Sequence, residues 1–229
     1  MGTSCELSFK AWPAGLIGGH VDTLYSTCQA VDEMVRTQTP ARERILGAAF
    51  TLFGRYGFKR TSMEDIAAEA GLSRTALYLQ FGSKEDIFRE LAARLHEEAL
   101  SQAEAALDDD QPIVERLRAA VEAKTLPMIQ TVNESPHGSE LIDEKNRLCG
   151  DLALASERRF QQMLARTFIH ADEKGDLYLA RSGLRAEEAA ELFAQALNGL
   201  KGRGVTVARY RTSVASLVKL FVKGLGGSE

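Results

Sequence analysis

Cysteine is scarce in this sequence: Cys5, Cys28 and Cys149 are the three in 229 residues. An odd number at such spacing builds no disulfide framework and offers no close thiolate pair to a metal. The four histidines, His20, His96, His137 and His170, are equally scattered, so no metal site and no cofactor are expected. Apolar runs long enough to cross a bilayer are missing. The N-terminus also lacks the basic start and apolar stretch of a secretory signal. A cytoplasmic chain with no membrane partner is the expectation. Proline is sparse at five residues, while Ala, Leu, Glu and Arg recur, which favours helix over sheet. No nucleophile–base pair, metal cluster or phosphate loop stands out, so an enzyme is not expected.

Charge of the sign needed for nucleic acid is also short overall, the net being −4. Screening limits the reach of a surface charge to roughly 8 Å at physiological salt, so the balance must be taken locally. Residues 40–84 carry seven Lys and Arg against four acids, and residues 95–229 carry 17 against 21. The acidity lies mostly outside the first segment, which permits a polyanionic partner there without demonstrating one.

Turning to what is present, residues 1–39 show no sustained period and are expected to form a flexible extension. Met34 opens a run that reads as a natural start, and a short helix near 21–35 is conceivable. After Pro40 a helical face appears: Ile45, Ala49, Leu52, Phe53 and Tyr56, closed by Gly57. Thr61, with Glu64 three residues on, fits a capping box that opens a second helix, whose apolar face is Ile66, Ala67 and Ala70. Gly71 suits a left-handed stop and Leu72 plugs the turn. Ser73 then caps a third helix, Arg74 to Phe81, and Ser83 with Asp86 caps a fourth that runs toward Leu107. Two helices joined by a short Gly-containing turn form a helix-turn-helix.

Further helices are expected at 113–132 (with a kink at Pro127), 139–169, 185–201 and 206–223, giving an all-α chain. The charge-rich run Glu140 to Arg147 reads as a solvated helix face.

The stretch from Ala41 to about Leu100 resembles the DNA-binding domain of the tetracycline-repressor (TetR) family. The residues that carry the resemblance are Arg42 to Leu46, Ala48-Ala49, Leu52-Phe53 and Tyr56-Gly57-Phe58, then Ser62 to Phe81 (SMEDIAAEAGLSRTALYLQF) and Ser83 to Asp86. It implies a homodimeric regulator, in most cases a repressor, that leaves a palindromic double-stranded operator when a small-molecule effector binds. On this reading residues 40–100 form the DNA-binding domain and 101–229 a helical effector-binding and dimerisation domain, linked by helix four.

A recognition helix must bury one face and offer the other. Leu77 and Phe81, at i and i+4, suit the core; Ser73, Arg74, Thr75, Tyr78 and Leu79 are left toward DNA, with Gln80 at the margin. Arg74 can bridge O6 and N7 of guanine, and Thr75 can meet a thymine methyl or a base edge. The resemblance implies phosphate contacts for Tyr78, Lys84 and the hydroxyl of Thr61, with Ser62 beside it at the start of helix two. Gln80 stands where the family often has His. Lys59 and Arg60 read as solvated charges.

In the second half, Ala189, Leu192, Phe193, Ala196, Leu197 and Leu200 make one apolar stripe. Tyr210, Val214, Leu217, Val218, Phe221 and Leu225 make another. The resemblance implies that these last two helices pair with those of a second copy. Effector-pocket candidates are Met128, Asn146, Cys149, Phe160 and Met163, although each suits plain core as well. A DNA binder without an effector is the alternative.

Overall fold

The computed structural model describes residues 29–202 and 204–227, with side chains from Pro40 onward. The chain divides at Pro40–Ala41 into two units. The expected flexible extension lies largely outside the described residues. Among these the chain is helical throughout, without strands. In order come α1 (Gln29–Tyr56), α2 (Met63–Glu69), α3 (Arg74–Tyr78), α4 (Lys84–Leu107) and α5 (Ile113–Glu134). They are followed by α6 (Gly138–Leu148), α7 (Gly150–Lys174), α8 (Leu179–Ser182), α9 (Ala186–Gly199) and α10 (Val207–Gly224).

Two apolar cores organise Ala41–Glu229, and α4 serves both. Its first half contributes Ile87, Phe88, Leu91 and Ala92 to a core with Ile45, Phe53, Ile66, Leu77 and Phe81. Its second half contributes Leu100, Ala103 and Leu107 to a larger core with Leu117, Phe160, Phe168, Phe193, Tyr210 and Val218. In the first core Phe53, Phe58 and Phe88 form a triangle with centroids 5.2–5.7 Å apart. Such spacing adds edge-on attraction to roughly 1.5–3 kcal/mol of burial per ring. Phe168, Phe193 and Phe221 do the same in the second core, Phe193 and Phe221 lying 4.7 Å apart.

The helix ends follow local chemistry, with several departures from expectation. Gly57 and Gly71 take positive φ (86° and 63°) and stop α1 and α2 as foreseen. The cap of α2, however, is Ser62 rather than Thr61. The Ser62 hydroxyl accepts from the Asp65 N–H (3.1 Å) and the Asp65 carboxylate accepts from the Ser62 N–H (2.9 Å). The box therefore sits one residue later and uses Asp65, not Glu64. Thr61 is unavailable because its buried hydroxyl donates to the Gly57 carbonyl at 2.8 Å.

Helix α1 also begins earlier than foreseen, at Gln29, and passes through Pro40; Tyr56 at its end is 46% exposed rather than core. The expected helix 139–169 is two helices. Cys149 leaves helical geometry (φ −128°, ψ 20°) to sit in the first core. Helix α5 continues through Pro127 to Glu134, and α8 was not anticipated.

Candidate nucleic-acid interface

Helix α3 is only five residues long, so its position is set by its anchors. Leu77 is completely buried and Phe81, just past the helix end, is nearly so. Both the Gln80 and Phe81 N–H groups return to the Leu77 carbonyl. Ser73 caps the start by accepting from the Ala76 N–H at 3.1 Å. With that face sunk, Ser73, Arg74, Thr75, Tyr78 and Leu79 stand exposed. Leu79 is 79% exposed, an apolar side chain that the core has no use for.

In the free protein the reading face is not empty of partners. Arg74 pairs with Glu64 of α2 at 2.6 Å, and its guanidinium lies 5.6 Å from the Tyr78 ring centroid. Both sides of the ion pair are well exposed, so it holds on the order of 0–1 kcal/mol and yields readily to a stronger partner. Arg42 of α1 donates to the Gln80 carbonyl at 3.0 Å, to the Glu90 carboxylate of α4, and stacks 4.2 Å over Phe81. One guanidinium thus ties the end of the reading segment to α1 and α4. Its neighbour Arg94 links Glu90 to Glu43.

Lys84 is engaged in the same way. Its Nζ donates to the Phe58 and Thr61 carbonyls (2.8 and 2.9 Å), approaches that of Lys59 at 3.4 Å, and sits 4.5 Å from the Phe58 ring centroid. Ser62 is half-buried in its cap, Thr61 is buried, and Gln80 is half-buried. Lys59 and Arg60 are exposed. The exposure of Ser73, Arg74, Thr75, Tyr78 and Leu79 agrees with the sequence, whereas Glu64 and Arg42 as partners of Arg74 and Gln80 were not foreseen. The signal for Arg42 lay in the motif itself, while its role depends on contacts 38 and 48 residues away.

A second connection reaches this domain from α6. The Glu140 carboxylate accepts the Lys59 backbone N–H at 2.7 Å, with His137 at 3.8 Å. It lies so close to Gly57 that a β-carbon there would come within 2.6 Å of it. Ser135 donates to the Gly54 carbonyl at 2.8 Å, and Arg89 of α4 grips Asp151 at the start of α7. That bond holds the Asp151 carboxyl down at about 2. The run 140–147 is therefore not simply a solvated face: Glu144 is buried against Arg147 and Lys145 is half-buried.

The five pocket candidates separate. Met128 meets Lys145, whose Nζ approaches its sulfur at 3.2 Å. Phe160 is buried beneath Lys124, 4.9 Å from its ring centroid. Asn146 is exposed and Cys149 belongs to the DNA-side core, its thiol pushed up by burial. Met163 lines a different cleft of about 370 Å³ with Leu107, Arg116, Arg166 and His170.

A family description, "Bacterial regulatory proteins, tetR family", matches residues 45–91, the span from α1 through the reading helix into α4. Over a longer range the chain is 31% identical to the HTH-type transcriptional repressor BepR of Brucella suis across 177 residues. That alignment covers 74% of this chain and 82% of BepR. The chain belongs to the tetR family. This regulator is also 30% identical to the HTH-type transcriptional activator FasR of Mycolicibacterium smegmatis over 169 residues, 74% of this chain and 71% of FasR. A shorter match, 49% over 47 residues, links it to YfiR of Bacillus subtilis and spans 20% of this chain and 23% of YfiR. The solved structure of PfmR, a TetR-family regulator of Thermus thermophilus, superposes with a TM-score of 0.56 at 26% identity, covering 80% of this chain and 98% of PfmR. The tetR-family chain is thus a helix-turn-helix transcriptional regulator. Among its described residues no helix is long and apolar enough to cross a membrane.

Proposed function

We propose that this regulator is a homodimeric repressor that reads a palindromic operator through Arg74 and Thr75 and leaves it when a small molecule binds the second core. The observation that carries the reading is the short α3, anchored by Leu77 and Phe81, with its polar face outward and its Arg held only by an exposed ion pair. Dimerisation through α9 and α10 is supported by the exposed Leu192 and Leu220 on those helices, whose inward faces are already joined by Phe193 and Phe221. Of the long relatives BepR is a repressor and FasR an activator; the sign follows BepR, over which the alignment extends further. Tyr78, Ser62, Ser73 and Lys84 border the phosphate path in this reading, while the buried Thr61 hydroxyl, spent on the Gly57 carbonyl, does not.

Selection of bound duplexes from a random pool tests it. The expected product is a two-fold symmetric site, and a reporter behind that site should be silenced by the regulator. Enrichment of asymmetric single half-sites, or activation of the reporter, overturns dimeric repression.

A further inference from the structure

Inside the second half three lysines converge from three directions with little to neutralise them. Lys124 of α5 pairs with Glu157 of α7 at 2.9 Å, both largely buried. Lys201, just past α9, donates to the Asn198 side chain at 2.8 Å, and Asn198 in turn reaches Glu157 at 3.4 Å. Lys145 of α6 finds only the Met128 thioether, a weak acceptor. Among the described residues neither Lys145 nor Lys201 has a carboxylate within ion-pair distance.

His96 of α4 lies among them. Burial, with the Lys145, Lys124 and Lys201 charges around it, lowers it to about 4, so it is neutral at pH 7. Burial and Lys124 lower Lys201 to about 8, and Lys145 is lowered for the same two reasons. Among the described residues, Glu157 is the carboxylate that acts on His96 and Lys201, and it is already taken by Lys124. Three lysines thus meet a single carboxylate in this cluster. Lysines half withdrawn from water and short of carboxylate partners invite a counter-charge. Next to it Met128 is half-buried and Phe160 lies buried beneath Lys124, and the buried Tyr210 hydroxyl, toward Thr125, lies within electrostatic reach of Glu157.

We propose that the effector is an organic anion whose carboxylate or phosphate is bound by the Lys145 and Lys201 ammonium groups, with His96 as an N–H donor and the apolar body against Met128. This rests on the effector-released reading above and names the chemical class that reading leaves open. A cationic or neutral effector would leave the excess charge unmatched.

The test compares straight-chain alkanoates and alkyl phosphates with the alcohols and trimethylammonium salts of the same chains, using the full-length protein. Melting temperature and operator affinity by fluorescence anisotropy are read in parallel. The anions are expected to raise Tm in a concentration-dependent way, and the alcohols and ammonium salts are not. Lys145→Met and Lys201→Met should each abolish the anion-dependent rise. Each should also raise the Tm of the ligand-free protein at neutral pH, because an unmatched charge is gone, which separates loss of the site from misfolding. The carboxylate and phosphate arms show which head group is preferred. Equal stabilisation by the alcohols or ammonium salts, no stabilisation by any anion, or an undiminished rise in the lysine variants overturns the proposal. An anion-dependent, lysine-dependent rise in Tm with unchanged operator affinity leaves the anion site standing and sinks release by that ligand instead.

Discussion

At the scale of single residues, Arg74, proposed to read a base, is held by Glu64 in an exposed ion pair that duplex binding would have to replace. Arg74→Ala is expected to cost about 1–3 kcal/mol on the selected operator and relax preference at one base pair. Equal loss on random DNA would show a phosphate role. Glu64→Gln removes the partner of Arg74 and a negative charge from the proposed interface, so binding to all duplexes should rise about two- to fivefold, the scale of an exposed pair. A titration on operator and random DNA checks both. Lys84 poses a different question, since its donors are committed to the carbonyls of residues 58–61. Lys84→Ala should lower the denaturant midpoint by about 1–2 kcal/mol in free energy, as charged hydrogen bonds of this kind do, together with operator affinity. Lost affinity at unchanged stability would mean that the lysine serves phosphate alone.

His96 gives a pH signature. Its folded value, about 4, lies below the ordinary 6.5 or so of an unfolded histidine, so the unfolded chain binds more protons between those values. Its contribution to stability is whole above about pH 6.5 and is lost as pH falls toward 4. His96→Gln should flatten the Tm–pH curve in that window, with Lys124, Lys145, Lys201 and Glu157 unchanged; a curve identical to wild type would place the histidine outside the cluster.

At the scale of elements, the Glu140 carboxylate of α6 closes on the turn that follows α1. Glu140→Ala should speed hydrogen exchange at the Lys59 amide about tenfold, the worth of one hydrogen bond, and Glu140→Gln should restore much of the protection through its amide oxygen. Exchange unaffected by Glu140→Ala would show that this bond does not hold the turn.

The elements also show what could be read without coordinates. The first core, the caps at Ser73 and Ser83 and the exposure of Arg74, Thr75 and Tyr78 followed from helical periodicity and short-range capping rules. The shift of the α2 cap from Thr61 to Ser62 escaped because two hydroxyls stand side by side, and only burial beside Gly57 decides between them. Glu140 on Lys59 was illegible for another reason. The partners are 81 residues apart, and no local pattern distinguishes a charge that solvates a helix from one that closes on a distant turn. The lysine cluster escaped likewise, being assembled from α4, α5, α6, α7 and the end of α9.

At the scale of the whole molecule, α4 joins the reading head to the second core as one rod of 24 residues, about 36 Å at 1.5 Å per residue. A tilt at its far end changes the spacing of two reading helices in a dimer. A hundredfold loss of operator affinity requires a coupling of about 2.7 kcal/mol. By reciprocity the operator must weaken effector binding by the same factor, and calorimetry with and without operator is expected to show it; equal effector affinity in both titrations would exclude the coupling. Helix α6 adds a shorter route. Lys145 and Glu140 stand on one helix of 11 residues, five positions or about 7.5 Å apart along its axis. The group proposed to sense the ligand and the group that closes on the turn after α1 are thus about a turn and a half from each other. A message along this path needs no relay of side chains through a core: a rigid helix that rolls or slides by an ångström at one end has already moved the other.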